Sequence, residues 1–380
     1  MNLNVLGTSF TVEWGAAVSA DQQKSMVQAW SRCLADPRTT TQTEPGVSAH
    51  PFTASLHFDS TLPAAGVRHI GSDTFEGLAE AVTSEVTIAA ILERAGELTM
   101  LHACGVADSG GAVIALVAKS GTGKTTASSQ LARTFGYITD ETVAIREDGT
   151  VLPYPKPLSI KQLAPGAAKL QVGPDELGLK IAPDNPRITA IALLDRVADG
   201  DYQLPVIEPV PLVDAVLALI PDTSSQAAVV QPLQSLCRLI DSVGGVFRIS
   251  YSEAADLKDS LAPLFLTGPA RPSEGAEEWS PAVAESEAKT DRSPIPAGWL
   301  QRAATVDAVE IGEDLLVLTE TELIRLSGIG PIIWQSARRP VSMQSLAGQI
   351  EAVHGLPEGY EALLDSAVDS LVDQGLLLRG

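Results

Sequence analysis

One run constrains this chain more than any other. Gly111–Val117 (GAVIALV) is an unbroken apolar stretch that passes directly into Ala118-Lys119-Ser120-Gly121-Thr122-Gly123-Lys124-Thr125-Thr126. A continuous apolar run of this kind reads as a strand buried on both faces. Thr126–Arg133 follows at helical spacing. A buried strand, a glycine-rich turn and a helix, in that order, point to layered α/β architecture, because the helix must pack back onto the sheet. The turn also carries chemistry. Gly121 and Gly123 let the backbone curl so that successive N–H groups point inward at phosphate oxygens. The following helix N-terminus adds partial positive charge. Lys124 can then reach the β- and γ-phosphates of a nucleotide, and the Thr125 hydroxyl can ligate Mg²⁺. Ser120, Thr122 and Thr126 complete the expected phosphate cradle. The usual pattern begins with glycine, and here that position is Ala118.

An acidic pair, Asp140-Glu141, follows the helix and stands just before a strand-like run, Thr142–Ile145, closed by a turn at Glu147-Asp148-Gly149. Adjacent carboxylates at a strand edge beside a phosphate site can divide two tasks. One takes a proton from an attacking hydroxyl, and the other holds Mg²⁺. His102 lies in the apolar run Leu101–Val106, where a lone histidine is more often a satisfied core residue than a functional one. Ile188–Leu194 reads as a third buried strand. Glu253–Leu264 reads as a helix with Ser252 as its N-cap. Val5–Val12 reads as a strand and Asp21–Leu34 as an amphipathic helix, with a polar loop over 39–50.

Charge narrows the partners. The chain of 380 residues has 47 acidic against 26 basic side chains, a formal charge of −21. Such a field repels phosphate backbones and anionic surfaces, so neither nucleic acid nor a membrane is an expected partner. No apolar stretch is long enough for a membrane span, and the first residues do not read as a secretory signal. Three widely spaced cysteines fit a reducing compartment, and the expected location is the cytoplasm. Residues 268–298 are rich in Pro, Glu, Ser and Ala, a composition that reads as a disordered linker. The expected domains are therefore an α/β subdomain over 1–81, a P-loop domain over 82–267, the linker, and a small domain over 299–380.

His102, the Ser120–Thr125 run and Tyr137-Ile138-Thr139-Asp140-Glu141 together resemble the kinase domain of bacterial HPr kinase/phosphorylase. They resemble more closely the HPr-kinase-like proteins found with peptide-maturation genes. Pro153–Ser159 (PYPKPLS) is also similar to a segment of those proteins. The resemblance spans about Val82–Leu266. It implies a P-loop kinase-like fold using ATP and Mg²⁺, with Asp140 as base for a protein hydroxyl and His102 and Lys124 as further catalytic residues. Thr125 and Glu141 are the implied metal ligands. Glu141 stands where the family more usually has a second Asp.

Beyond the linker, Glu313–Thr319 and Glu322–Ser327 are strand-like. Helical patterns begin at Gly330, Ser342 and Glu361, and Gly375 suits the position after the last helix. This order resembles the PqqD-type domain, a small α+β winged-helix fold that recognises precursor peptides of ribosomal natural products. The resemblance covers about Trp299–Gly380. It implies that a leader peptide adds a strand beside Leu323-Ile324-Arg325 and rests on Leu364, Val368 and Leu371 of the last helix. A stripe at helical spacing equally serves a domain core. Two functions follow. In one, the chain is an ATP-dependent kinase for a Ser or Thr hydroxyl of a ribosomal precursor peptide. In the other, it is a non-catalytic protein that captures the leader and delivers the precursor to a partner maturation enzyme.

Overall fold

The computed structural model describes every residue except 36–49, 58–65, 120–122, 163, 165, 198–201, 267–277 and 283–293. The polar loop expected over 39–50 and much of the 268–298 stretch lie outside the described residues. Two compact units separate. One comprises Met1–Val210, Pro221–Val229 and Leu239–Ser273; the other comprises Pro211–Ile220, Val230–Arg238 and Glu274–Gly380.

In the first unit the apolar run becomes the strand Ala112–Val117, fourth in a seven-stranded sheet. The order is Lys180–Ile181, Gly136–Thr139, Ala103–Ala107, Ala112–Val117, Arg187–Arg196, Val246–Tyr251 and Val206–Val210. Ala112–Val117, Arg187–Arg196 and Val246–Tyr251 are parallel. Ala103–Ala107 is antiparallel to both of its neighbours. Such buried strands have no polar face, which explains why they read as continuous apolar runs rather than alternation. The helices Lys124–Leu131 and Leu257–Leu266 contribute Ala127, Leu131, Leu261 and Leu264 to the core over this sheet. The architecture is mixed α/β with a parallel centre.

A smaller four-stranded sheet, Asn2–Val5, Thr8–Trp14, His50–Leu56 and Arg68–Ser72, precedes it in sequence. The single strand expected over Val5–Val12 is a hairpin, turned at Leu6 and Gly7 with φ of 51° and 80°. The helix expected over Asp21–Leu34 ends at Ala29 and continues as a 3₁₀ turn over Ser31–Cys33. Ser252 does not cap the later helix, which follows a 3₁₀ turn over Ala254–Asp256. Its hydroxyl instead accepts from the Gln203 amide at 3.1 Å.

The second unit contains two antiparallel sheets and three consecutive helices, Gly330–Ser336, Met343–His354 and Tyr360–Asp373. The larger sheet runs Trp279–Pro281, Asp307–Ile311, Asp314–Leu318 and Leu323–Leu326. Its first strand lies inside the stretch that composition marks as linker. Trp279 pairs with Ile311, and Ala282 packs against the apolar core. A three-residue strand needs little hydrophobic content when its neighbour supplies the ladder, so composition did not reveal it. Buried Asp307 accepts from the amides of Leu233 and Gln234 at 2.9 and 3.0 Å. It thereby caps the helix that begins at Pro232, a role usually filled from the residue next in sequence. No helix among the described residues is long and apolar enough to cross a membrane.

Candidate functional site

The site begins where the Ala112–Val117 strand ends. Ala118 is buried, and its carbonyl accepts a hydrogen bond from the Lys124 ammonium. The contact uses the backbone, and Ala118 is absent from the positive-φ positions. Alanine therefore meets the demand at a position where the usual pattern has glycine. Ser120, Gly121 and Thr122 lie outside the described residues. Gly123 has φ of 104°, a left-handed conformation that favours glycine, and it stands at the N-cap of Lys124–Leu131. Among the described residues no side chain caps that helix start, and the first amides of a helix are groups that can bind an anion. Burial holds the Lys124 ammonium below its usual pKa, partly offset by the Asp222 carboxylate and other nearby acidic groups. Thr126 is exposed, one residue beyond Thr125.

The acidic pair is fixed by its own turn. The Thr139 hydroxyl accepts from the amides of Glu141 and Thr142 at 3.2 and 3.3 Å. Asp140 is buried. Its Oδ2 accepts from the Thr125 hydroxyl at 3.3 Å, and its Oδ1 accepts from the Tyr137 hydroxyl at 3.2 Å. The first turn of the helix Lys124–Leu131 and the acidic strand end thus meet side chain to side chain.

The sequence reading assigned no role to the third member of this cluster, Lys156. It is 1% exposed, and its Nζ lies 2.9 Å from Asp140 Oδ1 and 3.0 Å from Glu141 Oε2. Burial disfavours the ammonium, but the two carboxylates outweigh it and raise the lysine well above its usual pKa. Glu141 shows the opposite balance. Burial pulls its carboxyl up, and the Lys156 charge brings it below the ordinary value. The signal for Lys156 was present in the segment already singled out, Pro153–Ser159. A lysine set between Pro155 and Pro157 has a stiff backbone that can hold its ammonium in place. Its partners could not be read locally.

His102 is the single residue between the strands Thr99–Leu101 and Ala103–Ala107, which belong to different sheets. Its amide donates to the Asp222 carbonyl at 2.6 Å. Burial lowers its pKa and the nearby Lys124 charge adds to that, against the opposing pull of Glu141 and Asp222. Lys124, Thr125, Asp140, Glu141 and His102 therefore all belong to one neighbourhood. Cys104 lies beside it, but burial pushes its thiol up to about 12, so it is an inert apolar residue there.

The residues expected to hold Mg²⁺ are only partly suited to it. Thr125 Oγ1 and Asp140 Oδ2 form an oxygen pair, whereas Glu141, the expected ligand, has Oε2 committed to Lys156. Among the described residues there is no group of three or more His, Cys, Asp or Glu able to hold a metal.

In the second unit, among the described residues, Leu323–Leu326 is an edge strand paired only with Asp314–Leu318. Leu323 and Ile324 are half-buried there. Arg325 bonds both carboxylate oxygens of Asp314 at 3.0 and 2.7 Å and lies 3.8 Å from Asp214. The peptide-facing role expected of Leu364, Val368 and Leu371 needs correction. They are 4%, 0% and 4% exposed and pack in the core with Ile333, Trp334 and Leu346. Their helical spacing records the face turned inward to the core.

No family model matches the chain, and no curated protein matches it. Among solved structures it is similar to the HPr(Ser) kinase/phosphatase from Coxiella burnetii. The identity is 15% and the TM-score 0.22, with 43% of this chain and 92% of that one covered. A likeness at that level carries no argument about activity, so the functional reading rests on the site itself.

Proposed function

We propose that the chain is an ATP- and Mg²⁺-dependent kinase acting in the cytoplasm on a Ser or Thr hydroxyl of a ribosomal precursor peptide. The observation that carries this reading is the 3.3 Å contact between Thr125 Oγ1 and Asp140 Oδ2. It puts a basic-group candidate beside the start of a phosphate-loop helix. Lys124 and the first amides of that helix would bind and orient the nucleotide phosphates. Thr125 would hold Mg²⁺, which supplies charge neutralisation to the phosphate oxygens when bound. Asp140 keeps Oδ2 outside its Lys156 and Tyr137 contacts, and that oxygen would take the hydroxyl proton. In this reading the second unit is a PqqD-like winged-helix domain. Its edge strand Leu323–Leu326 would pair with the leader, which raises the local concentration of the attached core peptide.

The hold of Lys156 on Asp140 favours one other reading, a leader-recognition protein that delivers the precursor to a partner maturation enzyme. One oxygen of Asp140 is held by a buried ammonium as part of a structural ion pair, and this unit would then serve as scaffold.

Asp140→Asn separates the two. General-base catalysis contributes about 10²–10⁴-fold, so peptide phosphorylation read by mass spectrometry should fall by that order, with leader binding retained. Absence of added phosphate with the unaltered chain, together with continued peptide maturation by a partner enzyme in the Asp140→Asn variant, would establish the delivery reading.

A further inference from the structure

Two neighbouring carboxylates facing one point form the hard-oxygen arrangement that divalent cations seek. In this chain that point is filled. The Lys156 ammonium stands 2.9 Å from Asp140 Oδ1 and 3.0 Å from Glu141 Oε2, and the lysine is 1% exposed. It also donates to the Pro157 carbonyl at 3.2 Å. A metal entering between the carboxylates would have to displace this ammonium. The displaced charge would then be buried with its anionic partners taken, which is costly. A metal that entered beside it would meet direct repulsion at contact distance. The prolines at 155 and 157 restrict the backbone that would have to move.

We propose that Lys156 is a resident cation that fills the position between Asp140 and Glu141 and excludes free divalent metal from the acidic pair. Metal would then be held at Thr125 Oγ1, with phosphate oxygens completing its shell and Asp140 Oδ2 left to take the hydroxyl proton. That second half rests on the nucleotide reading above, whereas the exclusion does not.

Mn²⁺ alone, titrated into the full chain and followed by the electron paramagnetic resonance of the free ion, tests the exclusion. The unaltered chain and Glu141→Gln should bind the same number of Mn²⁺ ions with the same affinities. Loss of a Mn²⁺ site in Glu141→Gln would overturn the proposal, and this comparison does not depend on any Lys156 variant folding. Lys156→Met, checked for folding by circular dichroism, should gain a site at least tenfold tighter than any in the unaltered chain. Adding Glu141→Gln to it should abolish the gain. A folded Lys156→Met that gains no site would equally overturn the proposal. Repeating the titration with a non-hydrolysable ATP analogue separates the two readings. Failure to bind Mn²⁺ there counts against the nucleotide reading and leaves the exclusion result unaffected.

Discussion

Lys156 Nζ lies 2.9 Å from Asp140 Oδ1, and both side chains are buried. A buried ion pair of this kind gains little over a well-packed apolar pair, because desolvation offsets attraction. Its effect here is on geometry. With Tyr137 it fixes one carboxylate oxygen of Asp140, and the other is left against Thr125. The orientation of the acidic residue is thus set jointly by Tyr137 of its own strand and by Lys156 from a segment that follows it in sequence.

The ammonium of Lys124 is the side-chain charge at the start of the phosphate-loop helix. Lys124→Ala removes a charge-assisted contact worth about 1.5–3 kcal/mol. ATP affinity measured by calorimetry should fall by that amount, while far-ultraviolet circular dichroism stays unchanged. Equal affinity in both proteins would remove this loop from the nucleotide reading.

Leu323 opens the edge strand of the larger sheet in the second unit. Proline there lacks a backbone donor and distorts the edge. Leu323→Pro should weaken binding of a cognate leader peptide, read by fluorescence anisotropy, and leave ATP affinity unaltered. Undiminished leader binding would place recognition elsewhere.

The last helix supplies core residues, so its apolar stripe should respond as core. Leu364→Ala should destabilise the second unit by about 2–5 kcal/mol in denaturant unfolding, the usual range for a buried leucine. Leu363 is 60% exposed on the same helix, and Leu363→Ala should change stability by less than about 0.5 kcal/mol. Similar small effects at both positions would contradict the burial.

His102 gives the site a pH dependence of definite sign. Burial, and next the Lys124 charge, lower its pKa in the folded protein relative to about 6.5 in the unfolded chain. Below that value the unfolded state binds more protons than the folded one. The His102 contribution to stability is therefore present above about pH 6.5 and is lost as pH falls through it. Melting temperatures should decline as pH falls below about 6.5, and His102→Gln should flatten that decline. An unchanged slope in the variant would assign the dependence to other groups.

Much of the first unit was legible in the chain. Ala112–Val117 and Ile188–Leu194 are strands buried on both faces, so they read as short continuous apolar runs without alternation. Gly123 before a helical pattern located the turn, because the left-handed φ there favours glycine. The hairpin at Leu6-Gly7 and the strand at Trp279–Pro281 escaped notice. Leu6 adopts positive φ without being glycine, and Trp279–Pro281 is stabilised by a partner strand remote in sequence.

By itself, then, the sequence determined local matters: where buried strands run, where the backbone must turn left-handed, and which short segment carries Lys124, Thr125, Asp140 and Glu141. The tertiary structure decided what those residues face. Only the folded units bring Thr125 to Asp140, seat Lys156 between two carboxylates, and turn Leu364, Val368 and Leu371 inward. Periodicity states that a helix has an apolar face, but not what covers it. Likewise, a lysine in a proline-flanked segment has no readable partner until folding removes water from around it, because only in a buried setting does charge choose its neighbours so strongly.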